Sequence, residues 1–211
     1  MTLKFQTMMH EKDEYTKVIR KIEAFQASNQ IDMVITHSLT KAVEKLAYET
    51  QKRVELKAGQ IDISILETKL RKPIKDILFQ CIRNSIFHGI EPVDERIRKN
   101  KKPLSLLVFS IKNVDGRAVV TFSDDGSGFD WEKIKEKYLV THPGAKAINK
   151  KLLLSSVFSP DFSTAKETTM AAGRGMGLSL VRDLIKEYNG TIQVDSSDAG
   201  LTLKFTFPLA S

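Results

Sequence analysis

Three short segments constrain this chain more than anything else in it: ILFQCIRNSIFHGIE at 77–91, SDDGSG at 123–128 and GRGMGLSLV at 173–181. Read as a helix, the first segment and the turn before it put Ile74, Ile77, Leu78, Cys81, Ile82 and Ser85 on one arc. Gln80, Asn84 and His88 recur every fourth residue on another arc, flanked by Arg83 and Phe87. A surface helix normally sets solvated Lys and Glu opposite its apolar stripe. Two amides and an imidazole in that place mark a face that handles a ligand.

The 211 residues, 41% of them hydrophobic, suffice for a buried core, either as one domain or as one domain with an appendage. No run reaches the roughly 18–20 apolar residues that a membrane span needs. MTLKFQTMMHEK lacks the apolar centre of a secretory signal, so the expected location is the cytoplasm, without insertion into a membrane. The one cysteine, Cys81, falls on the apolar arc, which leaves no disulfide or cysteine metal site and predicts a packing role. A net charge of +7 suits nucleic acid or a polyanionic small ligand alike. The densest basic cluster, RIRKNKK at 96–102, has no interleaved aromatics and is read as a solvated connection, with no nucleic-acid partner expected.

Along the chain, apolar periodicity predicts two helices within residues 10–49, joined near Ser28-Asn29-Gln30. RVEL (53–56) and IDISIL (61–66) around Lys-Ala-Gly-Gln predict a short hairpin, and Pro73 is placed in the first turn of a helix running to about His88. LSLLVFSIKN (104–113) and RAVVTFSD (117–124) form a second hairpin around Val-Asp-Gly, delivering Asp124 at a strand end. Helices follow at 130–139, 149–158 and 177–188, and TIQVDS and LTLKFTF close the chain as a strand pair. The long segment from Phe158 to Gly175 is rich in Gly, Ser, Thr and Ala, and loops of that length usually serve a function.

Asp124-Asp125-Gly126-Ser127-Gly128 fits a plain turn. It equally fits a carboxylate that accepts from an adenine amino group while glycine backbone approaches the ring. Gly173, Gly175 and Gly177 before a helix fit either a hinge or bare amides facing phosphate oxygens; the spacing matches neither a P-loop nor a dinucleotide fingerprint. The side-chain oxygen of Asn84 can ligate Mg²⁺ shared with phosphates, although a lone Asn in a helix usually does nothing.

Together these stretches, with RNSIFHGIEPVDERI and FSPDFSTA in the same order, resemble the ATP-binding catalytic domain of two-component histidine kinases of the GHKL superfamily, most closely the CheA-like chemotaxis kinases. The resemblance covers roughly residues 35–209. It implies a Bergerat two-layer α/β sandwich, a mixed sheet with helices on one face, over residues 35–211, preceded by a helical segment at 1–34 from a dimerisation bundle or linker. ATP and Mg²⁺ are the implied ligands. By the resemblance Asn84 holds the metal, Asp124 accepts from adenine with Gly126 and Gly128 lining the base, and Arg83 and His88 match the Arg and His around the Asn. Lys133 and Lys137 match lysines that face phosphates and ribose. Ser163, Thr164, Gly173, Gly175 and Gly177 belong to a nucleotide lid whose base Phe158 and Phe162 would fasten. The implied partners are a separate histidine-bearing acceptor domain and a response regulator reached indirectly; the N-terminal helices fit either a dimerisation bundle that brings in a second copy or a helical hairpin packed on its own domain.

Two positions depart from the family pattern. Gln80 stands where CheA-like kinases carry a histidine proposed as a base, and an amide takes no proton near neutral pH. Asp161 replaces a lid glycine and is read as pointing outward. Weak kinase competence is therefore expected, with a nucleotide-binding signalling module lacking transfer as the alternative. Of His10, His37, His88 and His142, only His10-Glu11 superficially resembles an acceptor box, and the residues after it do not match; His37 is read as a surface residue.

Overall fold

Alternating burial along the two central strands sets the architecture. In β2 (Ser105–Val114), Leu107, Phe109 and Ile111 turn to one face, and in β3 (Arg117–Asp124), Ala118, Val120 and Phe122 join them. The computed structural model describes residues 33–159, 162 and 177–209. Asp115 and Gly116 between these strands both take positive φ, 51° and 73°, the backbone of a tight hairpin turn. β1 (Val54–Ile61), β4 (Thr191–Ser197) and β5 (Gly200–Pro208) complete a five-stranded sheet in the order β1-β2-β3-β5-β4. β1 runs parallel to β2, and the other neighbours are antiparallel.

Helices cover one face of this mixed sheet. α1 (33–50) buries Ile35, Leu39, Val43 and Leu46, and α2 (Thr68–Asn84) buries Leu70, Ile74, Ile77, Leu78, Cys81 and Ile82. α6 (Leu178–Glu187) adds Val181 and Ile185 to the same core. The other sheet face carries Thr121, Lys204, Thr202 and Thr206, so no second helix layer is called for. A short α3 (Val93–Arg98) leads into β2. α4 (Trp131–Thr141) and α5 (Lys150–Val157) are capped by Asp130 and Asn149, whose side chains accept from the Lys133 and Leu152 amides. These two helices build a smaller core of Ile134, Tyr138 and Leu153, closed by Phe162, while Phe158 enters the main core. The two-layer α/β sandwich is thus as expected. The helix expected before Ser28 and the lid residues 163–176 lie outside the described residues.

Three local expectations fail. The hairpin expected at 53–66 is one continuous strand: β1 pairs with β2 from Val54↔Ser105 to Ala58↔Phe109, and a bulge between Ala58 and Ile61 absorbs the Gly59-Gln60 pair that reads as a turn. The residues after it form a 3₁₀ turn, Ile63–Ile65, whose Ile63 is fully buried. α2 begins at Thr68, so Pro73 sits inside it rather than at its start. Leu70, one turn before Ile74 on the buried arc, and Pro73 itself are both buried, which offsets the backbone hydrogen bond that proline forfeits. Finally, RIRKNKK is solvated only in part: residues 97–100 and Lys102 are exposed, but Arg96 is buried and paired with Glu91 and Asp125. His37 is exposed, as expected.

Candidate nucleotide-binding site

α2 does not simply stop at its last residue. Ser85–Gly89 continues it as a wide turn, closed by a 2.7 Å hydrogen bond from the Ile90 amide to the Ser85 carbonyl, a π geometry that recurs at functional sites. The Lys52 ammonium donates to the Ile86 carbonyl at 2.6 Å and steadies this turn from the opposite side. The Gly89 carbonyl accepts from the Ser127 amide at 2.8 Å and from its hydroxyl at 3.1 Å. Helix end and glycine loop are therefore latched together, and between them opens a cavity of about 390 Å³.

Asp124 projects into the cavity from the end of β3 and is only 7% exposed. Its Oδ1 accepts from the Gly126 amide at 3.0 Å and the Leu201 amide at 3.3 Å, and its Oδ2 accepts from the Ser85 hydroxyl. Burial raises its pKa above the usual aspartate range, and the three donors hold the rise in check. Cys81 lies beside it as part of the wall; burial first and the Asp124 charge second push its thiol far up, so it packs as a neutral group. Leu201 and Leu203 from β5 and Ile134 from α4 add apolar lining. A carboxylate acceptor among apolar side chains is suited to a heteroaromatic ring bearing an exocyclic amino group.

Asn84, His88 and Gly177 line the same cavity. The Asn84 Nδ2 is buried without a hydrogen-bond partner, a state that buried polar atoms rarely keep unless a ligand completes them. A Cβ on Gly177 would lie 3.5 Å from the Asn84 Oδ1, so the chain passes close to the amide there. This donor set fits a Mg²⁺ carried in by phosphates: one amide oxygen from the protein and an amide N–H for a phosphate oxygen, the ion otherwise keeping waters. Among the described residues no cluster of three or more His, Cys, Asp or Glu could hold a metal alone. His88 is exposed at the rim, and its pKa is lowered by partial burial first and by the Lys52 and Arg83 cations second. Lys133 also lines the cavity but is largely solvated and paired with Asp130 at 2.9 Å.

Gly126 lies just behind the wall, where any Cβ would overlap the Gly89 carbonyl. Gly128 takes φ +65°, and a Cβ there would overlap the Ser197 carbonyl. Gly128→Ala is expected to lower stability by about 2 kcal/mol or more, since strain and overlap with backbone add. Urea unfolding monitored by circular dichroism measures it, and an unchanged midpoint would remove this reason for the glycine.

Of the residues expected at the site, Asn84, His88, Asp124, Gly128, Lys133 and Gly177 meet around one cavity. Gln80 is half-buried one turn earlier on α2 and Arg83 lies 5.5 Å from the Phe87 ring centre; neither forms part of the wall. Lys137 donates to the Phe162 carbonyl at 3.0 Å and lies over its ring instead of lining the cavity. Ser163, Thr164, Gly173 and Gly175 lie outside the described residues. Sequence reasoning missed Ser85, which it placed with the apolar arc; a hydroxyl on an otherwise aliphatic buried face was the available signal. It also missed Ser127, Leu201 and Leu203, for which no local signal exists.

Residues 70–211 match the family described as histidine kinase-, DNA gyrase B- and HSP90-like ATPase. The sensor histidine kinase CheAY of Helicobacter pylori is 32% identical over 215 residues, covering 93% of this chain and 26% of that protein. The chemotaxis protein CheA of Borreliella burgdorferi is 32% identical over 177 residues, covering 81% and 20%. The chain thus spans about a quarter or less of these relatives' length. Among solved structures, full-length ShkA in complex with AMPPNP aligns with a TM-score of 0.52 at 16% identity, covering 84% of this chain and 30% of that one. The blue-light activated histidine kinase of Erythrobacter litoralis EL346 aligns at 0.50 with 15% identity, covering 93% and 50%. Both similarities concern the fold.

Proposed function

Because the chain belongs to the histidine kinase-, DNA gyrase B- and HSP90-like ATPase family, we propose that it is the ATP-binding catalytic domain of a CheA-like histidine kinase, transferring the γ-phosphoryl group of ATP to a histidine on a separate acceptor domain. One observation carries this reading: a buried carboxylate, Asp124, and an unpaired buried amide, on Asn84, face the same cavity from two different elements. The first suits a purine amino group and the second the charged end of the molecule. Asp124 orients the base, with its own position set by Ser85 and two amides. Asn84 and His88, which line the same cavity, orient the polyphosphate. Bound Mg²⁺ would neutralise phosphate charge there, the main electrostatic need of a loose phosphoryl-transfer transition state. Lys133, solvated and on a flexible stem, can swing toward the same charge.

The acceptor imidazole forms its N–P bond as the bridging O–P bond breaks and ADP departs, and the imidazole proton must leave. Gln80 cannot take it. That favours slow transfer, and it gives weight to a second reading, a nucleotide-binding signalling module without productive transfer. Incubation of the chain with labelled ATP, Mg²⁺ and an acceptor domain of a CheA-like kinase separates the two, label on the acceptor supporting the first. Gln80→His is expected to raise the transfer rate by about 10²-fold, the lower end of what a positioned base contributes. An unchanged rate would show that proton removal at this position is not limiting.

In this reading residues 35–211 are the catalytic domain and 1–34 the remnant of a dimerisation or linker segment. A response regulator would receive the phosphoryl group from the acceptor. Among the described residues no helix is long and apolar enough to cross a membrane, and the proposed site of action is the cytoplasm.

A further inference from the structure

The basic stretch after α3 returns to the back of the glycine loop. Arg96 is 1% exposed and all three of its guanidinium nitrogens are engaged: Nε donates to the Lys102 carbonyl (2.7 Å), Nη1 to Glu91 (3.1 Å) and to the Asp125 carbonyl (3.2 Å), and Nη2 to the Asp125 carboxylate (2.8 Å). Lys101 donates to Glu91 at 2.9 Å and to the carbonyls of Asp125 and Gly126 at 3.1 and 2.7 Å. The other oxygen of Asp125 accepts from the Ser105 hydroxyl and the Leu106 amide, which ties the loop to the start of β2. Burial alone would raise the pKa of Glu91, but the hydrogen bond from Lys101 and the nearby Lys99 charge hold it below the usual range, so it stays ionised.

None of Glu91, Arg96, Lys101 and Asp125 lines the cavity. The network touches the peptide on either side of Gly126, whose amide in turn bonds Asp124 Oδ1. A buried ion network is a poor source of stability, because desolvating the charges offsets most of their attraction. What it supplies here is position: two cations on consecutive carbonyls and a carboxylate leave the loop one place to sit.

We propose that Arg96 and Lys101 are positioning residues for purine recognition, acting through the Asp125–Gly126 backbone to hold the Asp124 carboxylate where the amino group of the base meets it. This rests on the nucleotide reading above. Loosening the clamp should therefore weaken recognition of the amino group more than recognition of the rest of the molecule.

Calorimetric titration of the intact chain with ATP and with purine riboside triphosphate, which lacks that amino group, reads this directly. The preference for ATP is expected to fall about fivefold in Lys101→Met and in Asp125→Asn, a part of the value of one hydrogen bond to a charged group. Lys101→Arg, which keeps a cation with several donors, is expected to restore most of it. Should Lys101→Met fail to fold, Asp125→Asn carries the test, since its shape is kept and Arg96 retains Glu91. A lowered thermal midpoint with an unchanged preference would make the network merely structural and overturn the inference alone. No ATP binding by the parent chain would overturn the nucleotide reading and this inference with it.

Discussion

Asp124→Asn is expected to cost roughly 10- to 100-fold in ATP affinity, the value of a hydrogen bond to a charged acceptor, without lowering the thermal midpoint. An asparagine can keep every bond the native carboxylate makes: its oxygen accepts from the Gly126 and Leu201 amides, and its NH₂ donates to a reoriented Ser85 hydroxyl. The base amino group would then meet a second donor, or an oxygen already shared by two amides. Stability moves the other way. Burial raises the folded pKa of Asp124 above its unfolded value, so the ionised carboxylate penalises folding at pH values above the folded pKa. The penalty shrinks as pH falls through the window between the two pKa values and is gone below the unfolded one. The neutral amide escapes it at all pH. Titration of ATP beside a thermal melt at pH 7.5 tests both halves. Undiminished affinity would remove Asp124 from the site. The native chain should also lose ATP affinity on acidification at a pH above the ordinary aspartate range, and Asp124→Asn should not.

Asn84→Ala is expected to lower phosphoryl transfer by about 10²- to 10³-fold, the usual effect of removing one preorganised group from a developing charge. The fold should survive, because Asn84 Nδ2 makes no hydrogen bond that the substitution would break. Transfer of label to an acceptor domain, compared with ATP binding at high and low Mg²⁺, measures it. Loss of the Mg²⁺ dependence along with the rate places Asn84 at the metal. Retention of the native rate would leave the unpaired amide without this explanation.

The site was legible to different depths in different elements. Asn84 and His88 could be paired from helical spacing alone, since residues four apart on a helix share a face whatever it packs against. Asp124 could be placed at a strand end because the alternation in RAVVTFSD ends there and glycines follow. Roles were less accessible. Lys137 has the spacing of a phosphate lysine, yet a ring and a carbonyl at Phe162, 25 residues away, hold it elsewhere. Gln80 sits one turn before Asn84 and still forms no part of the cavity wall. Ser85 looked like a core position because the arc on which it lies is otherwise aliphatic.

Errors in the fold have the same origin. Lys-Ala-Gly-Gln has the composition of a turn, but a vacant parallel edge on β2 made one bulged strand the better use of those residues. RIRKNKK has the composition of a solvated linker, but Glu91 and Asp125, brought from either side in the chain, supply the partners that let Arg96 enter the interior.

Periodicity and turn chemistry were enough for most of the element order and for the residues that face one another along a single helix or strand, because those relations depend on neighbours within a few positions; the sandwich followed from the family resemblance of three short motifs. Which side chains meet across the cavity, which lysine is held away from it and which arginine braces it from behind were settled only when strands and helices distant in the chain came together. Burial, and with it the strength of every charge and hydrogen bond, is a property of that assembly.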